Sequence, residues 1–232
     1  MKELLRVEQI NKSFRDRCVL KNVSFAVHTG EVLGLIGPNG AGKTTLFECL
    51  AGLIPANAGT VKYHEQILPP LKRKEALFYL PDAIIPWAEQ TVAWVLGFFE
   101  QMYGASASAF AQPLRLHEIM KSRIASLSKG ERKRTLLALG LMTPHPLLML
   151  DEPFDGLDLR QTPDVMDLLK QNAAKGRTLM LSIHQLVDAG RVCDRLVLLS
   201  DGNLVGEGTI PELQAKAGLS AGGVEEIFLA LT

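Results

Sequence analysis

The run Gly37-Pro38-Asn39-Gly40-Ala41-Gly42-Lys43-Thr44-Thr45 sets glycines, a lysine and two hydroxyls at the spacing G-x-x-x-x-G-K-[ST]. The chemistry this spacing serves is the cradling of phosphate. Glycines let the chain curl without Cβ clashes, so successive backbone N–H groups point inward at phosphate oxygens. A helix opening at the end of the loop adds its positive terminus. Lys43 supplies a mobile charge for the outer phosphates, and the Thr44 hydroxyl can ligate Mg²⁺. A second candidate group is Asp151-Glu152, which directly follows the apolar run Leu147-Leu148-Met149-Leu150. Two adjacent carboxylates in that place are either solvated loop acids or working groups. In a phosphate-loop protein the first would hold Mg²⁺, directly or through water, and the second could polarise an attacking water as general base. His184 ends the run Thr178–Ile183. A lone histidine is often structural, but the end of a core strand is also where a site of this kind is built.

These residues need strands and helices to hold them. Val32-Leu33-Gly34-Leu35-Ile36 reads as a buried parallel strand running into the glycine loop. Beyond the loop, Leu46, Phe47, Leu50 and Leu53 fall at helical spacing, with Gly52 as a stop. Upstream, Leu5, Val7, Ile10 and Phe14 read as a strand and a turn. Leu20, Val23, Phe25 and Val27 then mark a half-buried antiparallel strand. Thr60–Tyr63, Ala76–Leu80 and Arg195–Leu199 are further strands, and Asp201-Gly202 signals a hairpin. Thr91 can cap a helix with an apolar stripe of Val92, Val95, Leu96, Phe99, Met102 and Tyr103, beside which lie Trp94 and Phe98. Ser128 and Glu131 form a capping box ahead of Leu136, Leu137 and Leu141, an exposed helix start that could receive an anion. Thr162-Pro163-Asp164 opens another helix, Thr209 and Glu212 form a second capping box, and Val224–Leu231 is a last helix.

The bulk numbers exclude several classes. Of 232 residues, 47% are hydrophobic and 22% charged, which is a globular and not a disordered chain. Lys+Arg and Asp+Glu both number 25, so there is no bulk bias toward nucleic acid or anionic lipid. Cys18, Cys49 and Cys193 are scattered without metal spacing, as in a reducing compartment. Met1 to Arg6 lack a signal-peptide apolar core, and no apolar run is long enough to span a bilayer. Any membrane association is expected to come through a partner.

Taken in chain order, these stations resemble the ATP-binding subunit of an ATP-binding cassette (ABC) transporter along nearly the whole sequence. The resemblance rests on the phosphate loop, on Leu127-Ser128-Lys129-Gly130-Glu131, on the Leu-Leu-Met-Leu-Asp-Glu-Pro run ending at Pro153, and on His184. The family signature is usually L-S-G-G-Q, so Lys129 and Glu131 depart from it. The L-S-K-G variant is associated with subunits serving exporter-type permeases of the ABC-2 kind. The resemblance implies an α/β P-loop NTPase of the ABC ATPase type, with a RecA-like parallel-sheet core, an antiparallel β subdomain and a helical subdomain. In one domain of 1–232, residues 1–83 and 128–232 would form the nucleotide-binding core and 84–127 the helical subdomain facing the permease.

The resemblance also implies roles. Phe14 would stack on adenine, where the family more often has Tyr. Gly37 to Thr45 would bind the phosphates, with Lys43 among the catalytic groups. Thr44 and Asp151 would hold Mg²⁺. Asp82 falls where the family usually has a Gln that touches the metal and senses the permease. Glu152 would be the catalytic base, and His184 would contact the γ-phosphate. Gly156-Leu157-Asp158 resembles the loop that crosses the dimer interface. Ser128 and Gly130 would meet the γ-phosphate held by a second copy, in a homodimer or a heterodimer. The implied protein hydrolyses ATP to drive a separate transmembrane permease, from a peripheral position on the cytoplasmic face of the membrane, without binding nucleic acid. Other readings are a soluble ABC ATPase acting on nucleic acid or the ribosome, a nucleotide-gated module without turnover, and a generic phosphate-loop kinase.

Overall fold

Two long strands open the chain, β1 (Glu3–Phe14) and β2 (Arg17–His28), paired antiparallel across a turn at Arg15-Asp16. Leu20 and Val23 both face inward although three positions apart, because Asn22 adopts φ 53° and the register slips there. The bulge switches the pleat so that both sides of it stay apolar inside. Next come β3 (Val32–Ile36), α1 (Lys43–Ala51), β4 (Ala58–Tyr63), β5 (Gln66–Ile67), α2 (Arg73–Ala76) and β6 (Leu77–Leu80). The middle of the chain holds α3 (Val92–Tyr103), α4 (Ser108–Ala111), α5 (Lys129–Met142) and β7 (Leu147–Asp151). The last part is α6 (Gln161–Ala174), β8 (Thr178–Ile183), α7 (Leu186–Val192), β9 (Arg195–Ser200), β10 (Asn203–Gly208), α8 (Ile210–Ala217) and α9 (Val224–Leu231). The computed structural model describes residues 2–82 and 84–232; Met1 and Ala83, the two ends of the expected 1–83 part of the core, lie outside the described residues.

The strands form two sheets. The first is antiparallel, in the order β2-β1-β4-β5. The second runs β10-β9-β3-β8-β7-β6 and is parallel except for β10, which returns from β9 through Asp201-Gly202, both at positive φ as a tight hairpin requires. The parallel strands are buried on both faces, so alternate residues serve two cores. Leu33, Leu35, Met149 and Met180 face α1 and the antiparallel sheet, where Phe47 is fully enclosed. Ile36, Leu150, Leu181 and Leu198 face α3, α5, α6 and α7. Each such apolar side chain contributes about 1.5–3 kcal/mol on burial. One consequence orders the site. Because β3, β6, β7 and β8 run in the same direction, their carboxyl ends open on one edge of the sheet, where ligands of α/β proteins bind.

Several expectations are corrected. Leu53 lies past the left-handed cap at Gly52 and is exposed, so it is not on the buried face of α1. Met102 is also exposed; at 100° per residue it sits about 80° from Val92 around the helix, at the edge of the stripe. The buried set on α3 is Val92, Val95, Leu96 and Phe99. Helix α6 begins at Gln161, ahead of the Thr162-Pro163-Asp164 start, because Asp158 Oδ1 accepts from the N–H groups of Arg160 and Gln161, both at 2.8 Å. The caps at Thr91, Ser128 and Thr209 all form as their sequences require.

Helix α5 is tied to the helical segment by Arg134, a side chain only 4% exposed, whose Nη1 donates to the carbonyls of Leu114 at 2.8 Å and Arg115 at 3.3 Å. Arg134→Met keeps the apolar stem and strands both acceptors. We expect it to lower stability by about 1–3 kcal/mol, read as a fall in the urea midpoint with unchanged slope.

Candidate functional site

The glycine loop hangs from the end of β3 and is pressed against its neighbours. A Cβ at Gly37 would lie 2.3 Å from the Leu199 carbonyl oxygen of β9. At Gly42, φ is 105° and a Cβ would lie 2.9 Å from Leu20 Cδ2, so the loop also rests on the bulged part of β2. Gly42 is the N-cap of α1 and offers no side-chain acceptor, which leaves the first N–H groups of the helix open to a ligand. Lys43 is 7% exposed and donates to the carbonyls of Gly37 at 2.8 Å and Pro38 at 3.4 Å. A cleft of about 540 Å³ opens over this cradle. Asn39, Gly40, Thr44 and Thr45 line it with the loop, while Phe14, Arg17 and Val19 come from the antiparallel sheet. Phe14 is 48% exposed, and Lys12 Nζ stands 4.7 Å from its ring centroid. Both sheets therefore contribute walls.

The carboxylates stand on the opposite wall. Asp151, 4% exposed, accepts at Oδ2 from the hydroxyls of Thr44 at 2.9 Å and Tyr79 at 3.2 Å, and at Oδ1 from Ser182 Oγ. Burial, and then the charge of Asp151, pushes the Tyr79 phenol far above its ordinary range, so it stays a donor. Glu152 turns the chain at φ 49°, with its N–H donating to the carbonyl of Ser182 at 3.2 Å and to its hydroxyl at 3.0 Å. That conformation directs the carboxylate to a place 2.5 Å from His184 Nδ1 and 3.7 Å from Lys43 Nζ. A non-glycine residue in the left-handed region costs about 1–3 kcal/mol and is a feature of working sites. Asp82, after β6, completes the rim.

The residues present fit a nucleotide and a hard divalent cation. Thr44 and Asp151 set two oxygen donors beside the phosphate cradle. Among the described residues no group of three or more His, Cys, Asp or Glu side chains gathers as a metal cage. A Mg²⁺ ion here would complete its shell with phosphate oxygens and water, its usual mode beside nucleotides.

The remaining expected residues stand elsewhere. Among the described residues, Ser128, Gly130 and Asp158 are not part of the cleft lining. Ser128 N donates to Glu131 Oε2 at 2.8 Å and Ser128 Oγ accepts from Glu131 N at 3.3 Å, which closes the capping box. Hydrogen bonds from Ser128 hold the Glu131 carboxyl below the usual carboxylate range. Gly130 faces the loop after β7, since a Cβ there would lie 2.5 Å from the Gly156 carbonyl oxygen. Lys129 Nζ sits 2.5 Å from Asp155 on the same loop. Asp158 Oδ1 is engaged by the N–H groups of Arg160 and Gln161 at the start of α6. Tyr79, Ser182 and Lys133 join the site without a motif that marks them. For the two hydroxyls the signal was a polar group inside an apolar strand, which needs a partner when buried.

The protein-family model described as ABC transporter matches residues 20–155. The chain belongs to that family. It is 33% identical to an ATP-binding protein of an uncharacterized ABC transporter from Methanocaldococcus jannaschii, over 93% of this chain and 81% of the relative. It is 32% identical to the lipopolysaccharide export system ATP-binding protein LptB of Acidithiobacillus ferridurans, over 92% of this chain and 93% of the relative. It is 34% identical to the Nod factor export ATP-binding protein I of Burkholderia lata, over 86% and 68%. Among solved structures, an ATP binding subunit of an ABC transporter aligns with TM-score 0.88 and 29% identity over 98% of this chain and 99% of that one. A nucleotide-free ATP-binding cassette aligns with TM-score 0.81 and 26% identity over 97% and 98%. The fold is thus the ABC form of the P-loop NTPase, with its RecA-like sheet, antiparallel subdomain and helical subdomain. The protein is an ABC transporter ATPase, of the family that uses ATP and Mg²⁺ in dimeric assemblies to couple hydrolysis to a transmembrane permease. No helix among the described residues is long and apolar enough to cross a membrane.

A methyl group at Gly37 would overlap backbone, which cannot rotate away. Overpacking of this kind costs about 1–3 kcal/mol, so Gly37→Ala should weaken ATP binding by about tenfold or more, measured by titration of a fluorescent ATP analogue.

Proposed function

We propose that this ABC ATPase works as a head-to-tail dimer with ATP at each interface, and that the residues of the cleft and of the helix tip act in that setting. The observation that carries the reading is the placement of Glu152, held between His184 and Lys43 over the phosphate cradle, while Ser128 and Gly130 of the capped tip do not line the same chain's cleft. Phe14 stacks on the base. Gly37 to Thr45 wrap the phosphates, and Lys43 exchanges its carbonyl partners for phosphate oxygens. Thr44 and Asp151 would hold the Mg²⁺, which when bound would offset charge on the phosphates. Glu152 takes a proton from the attacking water, and His184 orients that carboxylate and the γ-phosphate. Ser128 and Gly130 of the second copy approach the same phosphate with helix N–H groups, and Asp158 shapes the loop beside that contact. ATP is then the bridge between copies, and its hydrolysis weakens the bridge.

The partners follow from the same reading. Residues 84–127 face a separate permease, through which the subunit sits on the cytoplasmic face of the membrane. Support comes from exposed aromatic side chains on and beside α3: Trp94 stacks on Phe98 with ring centroids 5.6 Å apart, and Trp87 is 43% exposed. Burying such groups in a partner is a common anchor of interfaces. The direction we infer is export. It is favoured by the Ser128-Lys129-Gly130 variant and by relatives named for export of lipopolysaccharide and of Nod factor. The second copy is the same chain or a related ABC subunit, and nucleic acid has no part.

Glu152→Gln removes the base and keeps the shape. It should lower turnover by about a hundredfold or more and leave an ATP-bound dimer that persists through size exclusion. A monomer under Mg²⁺ and ATP, even beside the co-purified permease, would overturn the reading. Glu131→Gln should change the affinity of that dimer by less than about threefold, because glutamine also closes the box at this position; a tenfold gain would mean that the carboxylate repels the incoming phosphate.

A further inference from the structure

Asp82 does not stand free on the rim of the cleft. Its Oδ1 accepts from Lys133 Nζ at 2.5 Å, and the same ammonium donates to the backbone carbonyl of Asp151 at 3.3 Å. The Lys133 side chain is 4% exposed and Asp82 32% exposed. Among the described residues Asp82 is the one carboxylate within ion-pair distance of that buried charge. Lys133 lies one turn into α5, just past the tip that carries Ser128 and Gly130. Its neighbour Arg134 is equally buried and grips the carbonyls of Leu114 and Arg115 instead. Successive helix positions project about 100° apart. Thus α5 carries two buried cations on different sides, one holding the nucleotide rim and one holding the helical segment.

A buried ammonium is stable only while its carboxylate stays in place. The end of β6, the end of β7 and the first turn of α5 are therefore fixed to one another through a single side chain. We propose that Asp82 is a positioning residue that acts through Lys133: the pair sets where the Ser128–Gly130 tip stands relative to the chain's own phosphate cleft. This inference rests on the ATP-bridged dimer proposed above. A direct ligand role for Asp82 on Mg²⁺ is the competing assignment. The two differ in which partner must be present, since a ligand role does not need Lys133.

The test uses the full chain carrying Glu152→Gln, in which dimer formation is read without turnover. Asp82→Asn and Lys133→Gln are each added to it, then Asp82→Gln together with Lys133→Gln. Glutamine is one methylene longer than aspartate and about one bond shorter than lysine, so a pair of glutamines spans the same gap with an amide–amide hydrogen bond. Each single change should weaken ATP-driven dimerisation by about tenfold, within the coupling seen for residues of one ion-pair network. The glutamine pair should return to within about threefold of the parent. With Lys133→Gln, the ATP affinity of the monomer should stay within about threefold while the dimer weakens, a split that general loss of stability would not produce. Melting temperatures are read alongside. If Asp82→Asn does not fold, Lys133→Gln and the glutamine pair still decide. A tenfold rise in the Mg²⁺ needed for dimerisation with Asp82→Asn, with Lys133→Gln silent, would overturn the proposal in favour of a metal ligand. So would a glutamine pair no better than the worse single change. A parent that dimerises while every variant matches it rejects this inference alone; a parent that stays monomeric rejects the dimer reading and this inference together.

Discussion

The structure turns on a concentration of positive potential at the end of one strand. Lys43 is almost wholly buried, the amino terminus of α1 points at the same place, and the loop before it directs backbone N–H groups there. A cation so enclosed needs acceptors or anions in fixed positions. The fold supplies two kinds: the backbone carbonyls of Gly37 and Pro38, which a ligand can replace, and the carboxylate of Glu152 at 3.7 Å, which remains. The parallel sheet exists, in functional terms, to bring these together. β3 delivers the cradle, β7 the two carboxylates, β8 Ser182 and His184, and β6 Tyr79 and Asp82, all from carboxyl ends on one edge.

Much of this could be read from the residues. The strand–loop–helix around the phosphate cradle, the strand leading to Asp151, the three helix caps at Thr91, Ser128 and Thr209 and the hairpin at Asp201-Gly202 are local patterns, and local patterns survive packing. What escaped was non-local. The bulge at Asn22 leaves no mark in composition, yet it brings Leu20 against Gly42. Lys133 follows a capping box rich in charge, and nothing local marks it as buried; its burial comes from the packing of α5 against the end of β6. The carboxylate of Asp158 also accepts from the N–H groups of Arg160 and Gln161, a contact at the start of α6 that its loop sequence does not announce. Short α7 lacks both a side-chain cap and a long apolar stripe, so nothing in its sequence announced it.

The helix between the two lobes has a mixed character that follows from its work. Its outer tip is held by the Ser128–Glu131 box and by Lys129 on Asp155, contacts near solvent that are individually weak. Its first inner turn holds the two buried cations, contacts that are hard to break. The carboxyl end is fixed by Arg177, which donates to the carbonyls of Gly140 and Leu141 and to the Thr143 hydroxyl. The contacts along α5 thus grade from weak at the exposed tip to strong in its buried body.

Glu152 holds a backbone geometry that glycine or asparagine would adopt with less strain. The conformational preference of the peptide and the demand for a carboxylate therefore oppose each other at this one position. Asparagine or glycine at this position would relieve the strain and at the same time remove the negative charge beside His184 and Lys43. Stability and the geometry of the cleft therefore pull in opposite directions at a single residue, and the rest of the fold must offset that strain.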